Sequence, residues 1–187
     1  MPHIALGSDD PGITGLFRFR PETAGPLNAL AEVLLRGEST LTRGERELIA
    51  AYVSSLNSCR FCFSSHAAFA AAQLPEGMAM VDQVRADLDT APISVKMKAL
   101  LDIAAAVQQG GLAVSDQHVA AARAAGATDV ELHDTVLIAA AFCMYNRYVD
   151  GLATITPDDP AVYAVVAERI VTHGYTATLA QPEVESR

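Results

Sequence analysis

Cys59 and Cys62 form a C-x-x-C pair, His66 follows four residues after the second thiol, and Glu47 precedes the first by twelve. Two thiols, an imidazole and a carboxylate are what a redox-active dithiol with its own proton relay requires. If residues 59–73 form a helix, positions i, i+3 and i+7 share a face, so Cys59, Cys62 and His66 line up. Asn57 and Ser58 are both suited to cap such a helix. Cys59 is then expected in the first turn, where the helix dipole and free amides favour a thiolate. Imidazole titrates near neutral pH, so His66 can take the thiol proton of Cys62. The three-residue offset also lets the two sulfurs approach within disulfide range.

These groups need two helices to position them. Thr42-Arg43-Gly44-Glu45 reads as a capping box that starts a helix running to about Leu56. Its apolar residues Leu48, Ile49, Tyr52, Val53 and Leu56 recur at helical spacing and predict a core-facing stripe. Glu47 lies beside that stripe, in a position to turn inward. The break at Asn57-Ser58 folds the second helix back as an antiparallel hairpin. Spacing alone does not decide whether Glu47 then meets His66.

The rest of the chain reads as helix after helix. Residues 26–36 carry Leu27, Leu30, Leu34 and Leu35 on one face and end at Gly37. Residues 75–88 form a shorter acidic piece. Ser94 caps a helix on which Met97, Leu100, Leu101, Ala104 and Val107 repeat until Gly110-Gly111 stops it. Ser115 caps a segment ending at Gly126, and Thr128-Asp129-Val130-Glu131 is a second capping box. The helix it opens is apolar all round from 136 to 144, which predicts a place at the centre of the fold or in an interface. Pro160 starts a last helix to about Val171, and the tail 181–187 is expected to fray. No useful length alternates with period two, so the fold class is all-α, a compact single-domain bundle of antiparallel helix pairs spanning 1–187, with its core at about 17–171 and frayed ends. The two capping-box helices, each followed by a cysteine, hint at an internal duplication.

Composition sets outer bounds. The 187 residues suit one domain with a substantial core. Half of them are hydrophobic, Trp is absent and alanine runs are frequent, a helical composition with surplus apolar surface that oligomerisation can cover. A net charge of −9 disfavours nucleic acid as a partner. No apolar run reaches spanning length, and MPHIALGSDD lacks the charge and core of a signal peptide, so no membrane association and a cytoplasmic location are expected. In a reducing compartment a C-x-x-C is more often catalytic than structural.

Other roles fit these residues singly. A zinc half-site needs four ligands where the local run supplies three, leaving Cys143 or a distant His to complete it. Buried thiols also act as small hydrophobes, His66 as a core histidine, and Glu47 as a solvated residue beside Arg43 and Arg46. Cys143 sits in an apolar helix as a core thiol, while His118 and His133 face solvent. Tyr145, Asn146, Arg147 and Asp150 suit a helix-end hydrogen-bond network or a subunit contact. Phe61, Phe63 and Phe69 flank the thiols and suit either core packing or an apolar access pocket.

Arg46-Glu47-Leu48-Ile49-Ala50, Asn57-Ser58-Cys59-Arg60-Phe61-Cys62 and His66 together resemble the signature of the AhpD-like alkylhydroperoxidases, within the carboxymuconolactone decarboxylase superfamily. The lead-in 21–47 and the run from Ser94 to Arg147 resemble its peroxidase-related branch, so the likeness covers roughly 17–151. It implies an all-α, trimeric or hexameric enzyme that reduces organic hydroperoxides without a cofactor or metal. By analogy Cys62 is the peroxidatic thiol, Cys59 resolves its sulfenic acid, and His66 with Glu47 relays the proton through a water. An external dithiol, lipoyl or thioredoxin-like, resets the pair. One departure stands out: AhpD proper carries a second histidine between the cysteines, where this chain has Phe61. The helix dipole favours Cys59 as the acidic thiol; the resemblance and the i+4 histidine favour Cys62. A disulfide oxidoreductase without peroxide specificity, and a redox-sensing or zinc-binding module, are the competing functions.

Overall fold

A computed structural model describes residues 1–179 of the chain. Nine α-helices follow one another among these residues: α1 (Gly12–Phe19), α2 (Pro21–Arg36), α3 (Arg43–Leu56), α4 (Arg60–Ala71), α5 (Met78–Ala86), α6 (Val95–Gln109), α7 (Asp116–Ala124), α8 (Asp129–Gly151) and α9 (Pro160–His173). Short 3-10 turns follow α6 and α9, and no strand occurs among the described residues. The all-α expectation holds. No helix of the described residues is long and apolar enough to cross a membrane.

The helix starts follow local chemistry. In α3 the Thr42 hydroxyl accepts from the Glu45 amide at 3.2 Å while the Glu45 carboxylate accepts from the Thr42 amide at 2.8 Å. Thr128 and Glu131 repeat the device at α8, and Ser94 caps α6 by accepting from the Met97 amide. Four boundaries depart from the sequence expectation. The second helix begins at Pro21 rather than at 26, with Pro26 inside it as the sixth residue, where the ring removes one intrahelical hydrogen bond. Helix α5 starts only at Met78, after a turn at Gly77 with φ +60. Helix α1 has no counterpart in the periodicity reading. The fourth departure, at the cysteines, belongs to the site.

Packing settles which helix is enclosed. Helix α3 is the buried one, packed by α2, α4, α5, α6 and α8, and it buries Leu48, Ile49, Ala50, Ala51 and Val53. Ala50 and Ala51, and Gly44 against Leu74, let neighbours come close. Helix α8 buries Ile138, Ala139 and Phe142 but leaves Val136, Leu137 and Met144 exposed, so its apolar circumference is half core and half surface. Packing also runs past the expected core limits. Leu6 and Leu16 are buried near the start, Tyr175 beyond the last helix, and the His3 amide donates to the Leu152 carbonyl at 3.0 Å. The fraying expected at 181–187 lies outside the described residues.

Glu131 ties three elements together. Buried at the start of α8, it accepts from Lys96 of α6 at 2.7 Å and from Thr40, ahead of α3, at 2.9 Å. Burial alone would push its carboxyl up, but Lys96, the Thr128 amide and Thr40 outweigh that and hold it at about 2, below the ordinary 4.5. A carboxyl depressed on folding stabilises the fold above its unfolded titration range, and that contribution is lost as pH falls from about 4.5 towards 2. Glu131→Gln is therefore expected to cost roughly 2–3 kcal/mol near neutral pH. Urea unfolding of the two chains across acid pH should show the gap closing as the carboxylate is protonated.

Candidate functional site

The hairpin of α3 and α4 brings the predicted residues together. Glu47 turns inward, 1 % exposed, and its Oε2 lies 2.7 Å from Nδ1 of His66 on α4. The contact, which spacing alone left open, is direct. Nδ1–H donating to the carboxylate leaves Nε2 as the basic nitrogen of the ring. The imidazole is boxed by the edge of Phe142 at 4.5 Å between ring centres, by Phe69 at 5.1 Å and by the stacked Tyr175 at 6.4 Å. A base held by aromatic walls and a buried carboxylate keeps one orientation.

The cysteines are arranged differently from the sequence expectation. Neither Asn57 nor Ser58 caps α4. Cys59 does, in extended backbone, after Ser58 at φ +59. The reason is tertiary: the Asn57 amide is committed elsewhere, donating to Asn146 Oδ1 at 2.8 Å and accepting from Gln108 at 3.0 Å. Asn146 in turn donates to Ser54 at 3.0 Å, so the helix-end network expected of this cluster exists and fixes the turn before Cys59. Cys59 therefore sits ahead of the first helical turn and is 0 % exposed.

The Cys62 amide in the first turn of α4 lowers the proton affinity of Cys59, as the dipole argument expects, but it is outweighed. The side-chain hydrogen bond of Cys59 to Cys62 raises its proton affinity most, followed by burial, the charge of Cys62 and the nearby Asp150, so its thiol stays protonated well above the ordinary range. Cys62, at 4 % exposure, lines a partly open cavity of about 70 Å³; Cys59 does not.

That cavity is lined by apolar Ile13, Phe17, Leu27, Phe61 and Phe142 and by Asn28, Cys62, His66, Tyr145 and Tyr175. Of the three phenylalanines next to the thiols, Phe61 lines it, whereas Phe63 lies under the Arg85 guanidinium and Phe69 packs on His66. Phe61 itself is seated on Gly12, where a Cβ would fall 2.1 Å from the ring at φ +54; no other residue leaves room. Helix α1 and Leu6 thus close over the cysteine pair, forming a small second core of Leu6, Leu16, Cys59, Cys62 and Val149.

Tyr175 is the site residue that sequence reasoning missed. Its hydroxyl donates to Glu47 Oε1 at 2.6 Å, and nothing in local spacing points to a contact across 128 positions. Tyr145 was placed in the helix-end cluster; its ring instead faces the cavity, with its hydroxyl donating to the Leu27 carbonyl at 2.9 Å. Among the described residues no three of His, Cys, Asp and Glu come together in a metal-ligating cluster, and Cys143 lies beside the Asn57 amide at 3.6 Å.

Comparison with known proteins meets the same helices. A crystal structure described as an alkylhydroperoxidase AhpD core, an uncharacterized peroxidase-related protein from Ralstonia eutropha JMP134, superposes with a TM-score of 0.74 at 26% identity, covering 84% of this chain and 80% of that one. An uncharacterized peroxidase-related protein from Silicibacter sp. TM1040 gives 0.73 at 27% identity, over 82% and 78% of the two chains. No curated protein matches. The pattern of the carboxymuconolactone decarboxylase family matches residues 21–73 and 75–156, which include both helices of the site. With more than half of its length so matched, and with the AhpD-like all-α fold, the chain belongs to the carboxymuconolactone decarboxylase family.

Proposed function

We propose that this protein reduces hydroperoxides with its Cys59–Cys62 dithiol. The observation that supports this most directly is the asymmetry of the pair: Cys62 opens onto a cavity it shares with His66, while Cys59 is sealed behind it and held protonated. In the first step His66 holds the proton taken from Cys62, and the thiolate attacks the terminal oxygen of ROOH. The O–O bond breaks, Cys62 becomes a sulfenic acid, and the imidazolium returns the proton to the alkoxide, releasing ROH. Cys59 then attacks the sulfenic sulfur, forming the Cys59–Cys62 disulfide and releasing water. An external dithiol, a lipoyl group or a thioredoxin-like protein, takes up the oxidising equivalents and restores both thiols. The apolar wall of Ile13, Phe17, Leu27 and Phe61 suits the alkyl part of an organic hydroperoxide.

The peroxidase-related description of both structural neighbours supports the same reading at the level of chemistry. The exposed stripe of Val136, Leu137 and Met144 suits burial in the trimer or hexamer that the resemblance implies. A cytoplasmic setting fits, since the reaction draws on a dithiol pool.

The test is the intact mass of the reduced protein after one equivalent of cumene hydroperoxide. Loss of two hydrogens per chain, mapped to Cys59 and Cys62, is the expected result. A protein left unchanged on the minute scale, yet oxidised by a small-molecule disulfide, would replace peroxide reduction with disulfide exchange.

A further inference from the structure

Glu47 has two carboxylate oxygens, and the relay to His66 occupies only one. The other is taken by Tyr175, which a small clamp at the end of α9 brings into place. Arg36 of α2 donates to the carbonyls of Ile170 and Val171 at 2.9 and 3.1 Å, and also to Glu32 at 3.1 Å. Glu32 in turn accepts from the Tyr175 amide at 2.7 Å. Between helix and tyrosine stands Gly174 at φ +83, where a Cβ would fall 2.5 Å from Glu32 Oε2, so the chain reaches this position only as glycine. The outcome is a tyrosine 7 % exposed with its hydroxyl 2.6 Å from Glu47 Oε1.

We propose that Tyr175 is a positioning residue of the relay, and that by holding Glu47 it sets the pH up to which His66 keeps the proton taken from Cys62. A buried carboxylate with two donors shares its charge between them; with one removed it leans harder on the other. Without the hydroxyl, the proton affinity of the Glu47–His66 pair rises and the imidazolium persists to higher pH. Burial, reinforced by the Glu47 carboxylate, keeps the Tyr175 phenol protonated well above its ordinary range, so it acts as a donor throughout the working range. The packed elements carry further charged and titratable groups. Glu32 and Arg36 come from α2, Arg46 from α3 with its guanidinium on the Leu34 carbonyl, Cys59 from the turn before α4 and Cys62 from α4. Asp134 and Tyr145 come from α8, while α6 brings Asp102 to Tyr52 and α5 brings Arg85 to Phe63.

The proposal rests on the peroxide reading only for what the proton is used for, so its test begins without peroxide. In Tyr175→Phe, which deletes the hydroxyl alone, the His66 imidazole followed by NMR should titrate about one pH unit higher than in the parent. Gly174→Ala, which displaces the clamp and leaves the hydroxyl intact, should move it in the same direction. With cumene hydroperoxide, the alkaline limb of the rate–pH profile for Cys62 oxidation should shift upward with the imidazole, and the acid limb should stay. An unchanged His66 titration in both variants, or a uniform loss of rate with neither limb displaced, overturns the proposal. A shifted titration in a protein that hydroperoxide leaves unoxidised would keep Tyr175 in its role and remove the peroxide reading instead.

Discussion

Cys62→Ser should lose reaction with hydroperoxide by at least about a thousandfold, to the level of free peroxide in buffer, because Cys62 is the one thiol among the described residues that lines the cavity. Cys59→Ser should behave oppositely. Attack by Cys62 survives, but the product stops at the sulfenic acid, seen as a mass gain of one oxygen and captured by dimedone. Excess peroxide should then drive it on to the sulfinic acid, since the thiol that would have intercepted it is gone. The asymmetry has a pH signature. The hydrogen bond to Cys62, then burial and the charge of Cys62, hold Cys59 protonated, so iodoacetamide should modify Cys62 and spare Cys59 across the neutral and mildly alkaline range. Sulfenic acid trapped in Cys62→Ser would exchange the two roles.

Glu47→Gln should slow Cys62 oxidation about a hundredfold while leaving the fold intact, in line with the usual worth of a positioned acid–base group. Glutamine keeps the shape: its carbonyl can accept from His66, and its amide can donate to the Tyr175 oxygen. It removes the charge that stabilises the imidazolium, so the alkaline limb of the rate–pH profile should move to lower pH. That is the reverse of the shift expected when Tyr175 loses its hydroxyl, and the opposed signs distinguish charge on Glu47 from damage to the pocket. Glu47→Leu should instead lose roughly 2–4 kcal/mol of stability, since the His66 N–H and the Tyr175 hydroxyl would be buried without an acceptor. Stopped-flow oxidation and urea unfolding of the two variants, side by side, separate the effects.

The sequence by itself determined what depends on neighbours three or four residues apart. Capping boxes at Thr42 and Thr128, a serine cap at Ser94, and stripes such as Leu48, Ile49, Tyr52 and Val53 are decided within a helical turn, and the all-α architecture follows from them. The placement of Cys62 and His66 on one helix is of the same kind. A composition apolar all round suggested α8 for the centre of the fold or an interface, and only packing decides between them: α3 is enclosed, while α8 keeps part of its apolar surface exposed.

Tertiary structure decided the rest of the site. The start of α4 shifted to Cys59 because Asn57 is drawn into bonds with Asn146 and Gln108, partners 89 and 51 positions away. That shift, with Leu6 and Leu16 closing over the pair, sealed one thiol and left the other open to the cavity. Tyr175 reaches Glu47 only because the Glu32–Arg36 clamp catches the end of α9. Contacts of this range carry no periodicity along the chain. They come from the close approach of packed helices, where a buried carboxylate must find its donors wherever the fold supplies them.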